Sequence, residues 1–78
     1  MKVSGTRLSN LRIGEKGVIE SFTDELMKLK LLEMGCLPGD TFTVDRFAPL
    51  GCPMAIHLEN STLSIRVDEA ESVIVKVL

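Results

Sequence analysis

The chain has no Trp and no Tyr, and its only aromatic side chains are Phe22, Phe42 and Phe47, 4% of 78 residues. Grooves that read proline-rich peptides are lined by aromatic rings, so that binding chemistry is missing whatever shape the fold takes. Two cysteines, Cys36 and Cys52, are too few for a small secreted scaffold stapled by several bridges; reduced thiols in the cytosol are the expectation. No apolar run approaches the ~18–20 residues that cross a bilayer, and residues 2–13 are too polar for the core of a signal peptide. A soluble, cytoplasmic protein with no direct membrane insertion is expected. An excess of basic charge is lacking as well. Nine Lys and Arg against eleven Asp and Glu leave a net charge of −2 and a sequence pI near 5.3. No overall positive field exists to hold a phosphate backbone, and nucleic acid is not an expected partner.

A catalytic set is also wanting. The one histidine, His57, falls on the outward face of a predicted strand, and no serine lies in a nucleophile elbow or beside a second base. The six glycines form neither a phosphate loop nor a dinucleotide fingerprint. An enzyme is not expected. Cys36, Cys52 and His57 are metal-ligand types, and Glu33, Asp40 and Asp45 could complete a site. There is no paired-cysteine knuckle, however, and a His five residues after Cys52 is not a structural zinc spacing. The metal site is therefore unassigned, with Cys36, Cys52 and His57 as candidates. No resident cofactor is called for, and transient Fe2+ or another divalent metal stays open. The bland alternatives are a small core filler for Cys36 and an exposed imidazole for His57.

What remains is a chain that is 45% apolar and 26% charged, long enough for a single domain over residues 1–78 with a small core; such a domain buries only ~60–65% of the surface its unfolded chain exposes. Turn signals at short intervals predict a mainly β unit with one helical insert. Residues 8–17 read as a coil or short turn leading to a strand over 17–22. Thr23 can cap a helix over 24–34, with Asp24 and Glu25 at the positive end of its dipole and a Phe22–Met27 staple. Gly35 is expected as the left-handed residue that ends it, and Pro38 bars continuation. Pro38 and Gly39 set a turn. Strands follow over 41–47, 54–59 and 62–67, then one helical turn over 68–71 and a closing strand over 72–77. Five such strands can close into a small barrel.

Two surfaces are candidates for binding. The loop Pro49, Leu50, Gly51, Cys52 and Pro53 is stiffened by proline, and Leu50 reads either as a preorganised anchor or as a cap on the barrel's open end. The helix carries two apolar stripes, Leu26, Leu29 and Leu32 against Met27, Leu31 and Met34, of which a barrel needs only one. The second stripe either faces a partner or lies under the N-terminal segment. Charge is uneven too: Lys2, Arg7 and Arg12 precede the first acid, Glu15, whereas residues 31–78 hold three basic residues against seven acidic ones.

The run 31–40, LLEMGCLPGD, then 44–53, VDRFAPLGCP, then Leu63-Ser64-Ile65-Arg66 with Glu69-Ala70 and Val73-Ile74-Val75, resembles the ferrous-iron transport protein A (FeoA) family; Leu8, Leu11 and Gly14 fit its opening. The likeness spans nearly the whole chain. It implies a cytoplasmic SH3-like five-stranded barrel with an inserted helix, acting as an accessory to bacterial ferrous-iron uptake. The implied partner is the membrane ferrous-iron permease with a cytoplasmic GTP-binding domain (FeoB-like), which would recruit the protein to the inner face of the cell membrane. The surfaces assigned to that contact are the 49–53 loop and Met27, Leu31 and Met34. The alternative is a small transition-metal-binding or metal-sensing protein. The family commonly has an aspartate at the position of Cys52, so a role for a loop carboxylate does not carry over. The same barrel closes repressors of the DtxR type, but no helix-turn-helix precedes it here, and a repressor is not expected.

Overall fold

The structure is a computed structural model that describes residues 3–78. Its strands are β1 (Val3–Arg7), β2 (Lys16–Phe22), β3 (Thr41–Phe47), β4 (Met54–His57), β5 (Thr62–Ile65) and β6 (Val73–Val77). They make one antiparallel sheet in the order β1-β6-β2-β3-β4-β5. Helix α1 (Glu25–Met34) is inserted between β2 and β3, and the short α2 (Val67–Glu71) lies between β5 and β6. Register shifts between Val3 and Thr6, between Ile19 and Ser21, and between Val44 and Arg46 interrupt three of the pairings. Such bulges bend a strand and raise its twist, which lets short strands curl around one core.

The mainly β architecture with an inserted helix is as expected, with six strands instead of five. The additional strand, β1, pairs with β6; its sequence VSGTR has little apolar alternation to announce it. Residues 3–7 thus extend the sheet, and Leu8 and Leu11, which follow, share the core cluster with Leu31. Strands β4 and β5 stop short of the predicted bounds. Leu58 N–H turns to donate to the Ser61 carbonyl, and Val67 already belongs to α2.

Helix α1 begins one residue later than Thr23 capping requires. Thr23 N–H donates to the Ser72 carbonyl at 2.8 Å and stays with the sheet. Asp24 is the cap instead, its Oδ1 accepting from Leu26 N–H at 2.8 Å and Met27 N–H at 3.2 Å. That displacement removes the Phe22–Met27 staple, and both side chains pack against the core. At the other end, Gly35 is left-handed with φ 97°. Its N–H donates to the Leu32 carbonyl, and Cys36 N–H donates to the Leu31 carbonyl at 2.9 Å, which together form a Schellman closure. The closure puts Cys36 and Leu31 side by side in the core, both fully buried.

Candidate interaction surface

The Schellman closure sets the rotation of α1. Because Leu31 points into the core, Met27 and Met34, on the same face, pack half-buried against it. The opposite stripe is left outside, with Leu26 80% exposed and Leu29 59% exposed. Of the Met27, Leu31 and Met34 stripe assigned to a partner, Leu31 is corrected, being 0% exposed and able to touch none, whereas Met27 and Met34 keep part of their surface in solvent. Leu26 and Leu29 are the large apolar side chains that the helix leaves exposed. The signal that could have found them is Gly35-Cys36, since a closing turn that buries its last residue orients the helix it closes.

The 48–53 loop joins β3 to β4. Gly51 N–H donates to the Ala48 carbonyl at 2.7 Å, and Ala48 N–H donates to the Pro53 carbonyl at 2.9 Å, so the loop is tied across its own neck. Pro49 and Leu50 occupy the two central positions of the turn, and the Cys52–Pro53 peptide is cis. Leu50 is 96% exposed. It caps nothing; an ordered backbone holds it out in solvent. Pro49, Cys52 and Pro53 are exposed with it, and Gly51 is half-buried.

The three metal candidates occupy different settings. Both cysteines are free; Cys36 is in the core and Cys52 is on the surface loop. Burial, reinforced by the negative charge of Asp40, pushes the Cys36 thiol up to about 11, whereas a metal ligand must be a thiolate. His57 is exposed on β4, its Nδ1 3.1 Å from the Thr62 hydroxyl of the paired strand. Among the described residues no three His, Cys, Asp or Glu side chains gather as a ligand set.

One buried charge organises the wall beside α1. Glu69 of α2 is 3% exposed and takes the Lys30 ammonium at 2.5 Å and Arg66 N–H at 2.9 Å. Burial pushes its carboxyl up, but the Lys30 and Arg66 hydrogen bonds and positive charges outweigh that and hold it below the usual carboxylate range.

The curled sheet with its inserted helix defines a small SH3-like barrel domain. Its residues 6–77 match the model of the FeoA domain, and the chain belongs to the FeoA family, small proteins associated with ferrous-iron transport. The fold is similar to that of a FeoA-like protein from Clostridium acetobutylicum, at 30% identity and a TM-score of 0.89 over 97% of this chain and 90% of that one. An iron uptake regulatory protein (FeoA) is similar at 31% identity and a TM-score of 0.80, over 100% and 99% of the two chains. The FeoA of Stenotrophomonas maltophilia, 25% identical with a TM-score of 0.74 over 90% and 88%, was solved with zinc. It is described as a prokaryotic SH3 domain protein and a candidate activating factor of bacterial ferrous-iron transport. No helix among the described residues is long and apolar enough to cross a membrane.

Proposed function

We propose that this protein is a non-enzymatic, cytoplasmic accessory of ferrous-iron uptake that docks on the cytoplasmic part of the membrane permease (FeoB-like) and modulates it. The observation that carries the reading is Leu50, 96% exposed on a loop tied by its own backbone hydrogen bonds. A large apolar side chain held out by ordered backbone loses little conformational entropy on binding, which suits an anchor. Leu26 and Leu29 on α1 supply further apolar area. Docking would bring the protein to the inner face of the membrane without inserting it.

The test is an NMR titration of isotope-labelled protein with the permease's soluble cytoplasmic region. Wild type should show shifts around Leu50 and α1. Leu50→Asp combined with Leu26→Asp should bind at least about tenfold more weakly, as loss of a buried apolar anchor requires, while its spectrum stays that of a folded protein. Cys52→Ser should bind as wild type does. A folded Leu50→Asp, Leu26→Asp protein that binds normally refutes the surface.

The zinc-bound relative directs a second reading, metal binding or sensing, to Cys36, Cys52 and His57. These residues do not fit one resident metal. Cys36 is buried as a thiol, Cys52 lies on the surface loop, and among the described residues no three ligand-type side chains gather. The docking reading is therefore preferred.

A further inference from the structure

We propose that the concave face between the 48–53 loop, β5 and α1 is a groove for an extended, acidic segment of a partner protein. Two adjoining concavities form it, of about 330 Å³ and about 500 Å³, and both are lined by Pro53 and Ser64. The floor follows from register. Arg46 pairs with Ala55, and Ala55 pairs with Ser64, so one row across β3, β4 and β5 has small residues at two of its three places. The depression is walled by Pro49 on the loop side and Met34 on the helix side.

The charge of this face runs against that of the chain. Arg46, Lys30 and Arg66 line it, and the only lining acid is Glu69. Glu69 is buried and already neutralised by Lys30. Arg46 and Arg66 are exposed, and neither forms an ion pair among the described residues. Residues 31–78 contain three basic side chains against seven acidic ones, and two of those three stand here. A chain of net charge −2 thus gathers cations around a trough of mixed polar and apolar lining, which is complementary to carboxylates interspersed with apolar side chains.

The occupant should be extended because the trough crosses three neighbouring strands, each ~4.8 Å from the next, before it reaches α1. This inference deepens the docking reading, on which it rests for the source of the segment.

The probe is an N-acetylated, C-amidated octapeptide alternating Glu and Leu, titrated into labelled protein. Its Lys-Leu counterpart and citrate are run in parallel. The Glu-Leu peptide should shift the amides of Arg46, Ala55, Ser64 and Arg66, and the shifts should weaken with added salt. Arg46→Glu combined with Arg66→Glu, both at exposed side chains, should reduce affinity at least about tenfold with the folded spectrum retained. Equal shifts from the Lys-Leu peptide overturn the proposal. So does citrate acting at the same affinity, which would mean a small-anion site, and so does silence at about 1 mM peptide. The permease's cytoplasmic region separates the two readings. If it binds wild type and the doubly changed protein equally, the docking reading stands and the groove fails. If the peptide binds in the groove and the permease region does not bind, the groove stands and docking on the permease fails.

Discussion

A Cβ placed on Gly17 would lie 2.7 Å from the Lys76 carbonyl oxygen and 2.8 Å from the Phe42 ring. The oxygen belongs to the strand paired with β2 and the ring is buried in the core, so neither retreats without moving sheet backbone or opening the interior. Gly17→Ala is expected to cost about 2–3 kcal/mol, as overpacking against fixed neighbours does. Gly35 offers the opposite case. Its Cβ would meet nothing within 4 Å, but its φ is +97°, so Gly35→Ala bears only the strain of the left-handed conformation, about 1 kcal/mol. Urea unfolding of the two variants, with the slope unchanged, should place Gly17→Ala well below Gly35→Ala in midpoint. The reverse order would mean that β2 yields more readily than the helix closure.

At the scale of the element, what was legible in the sequence was local chemistry. Gly35 and the Pro38-Gly39 turn could be read because a positive φ or a fixed φ is a property of the residue itself. Strand β3 could be read from its own alternation. The rotation of α1 could not, because two stripes of similar hydrophobicity compete, and the choice is made by Cys36, outside the helix, which is buried beside Leu31. The groove was equally hidden, since Lys30, Arg46 and Arg66 belong to separate elements brought together only by the curl of the sheet. The rotation has a direct check in stability. Leu31→Ala should cost about 2–5 kcal/mol, the range for emptying a fully buried leucine site, whereas Leu29→Ala should stay within about 0.5 kcal/mol, as exposed substitutions do. Comparable losses from both would mean that α1 sits in another rotation and that Leu26 and Leu29 are not a free surface.

For the whole molecule, a core this small leaves little margin, so an ion pair with a buried carboxylate joining two helices should be visible in the acid limb of stability. Lys30 of α1 and Glu69 of α2 form that pair. Burial disfavours the Glu69 charge, yet the Lys30 and Arg66 contacts prevail and its carboxyl titrates lower in the folded protein than in the unfolded chain. Around and below the carboxylate's ordinary value the unfolded chain therefore binds more protons, and stability falls as pH is lowered. The contribution is whole above the unfolded pKa of about 4.3 and drains away as pH falls through the lower folded value. Glu69→Gln should unfold about 1–3 kcal/mol more easily at neutral pH, toward the lower end because the Lys30 side chain is 56% exposed. It should also lose less on acidification than wild type. Lys30→Met should shift the loss to higher pH, because the cation that holds the carboxyl down is gone while the Arg66 amide remains. Urea midpoints from pH 3 to 7 measure all three proteins. Acid limbs of equal slope in wild type and Glu69→Gln would show that other carboxylates govern the acid response and that the Lys30–Glu69 pair adds little to stability.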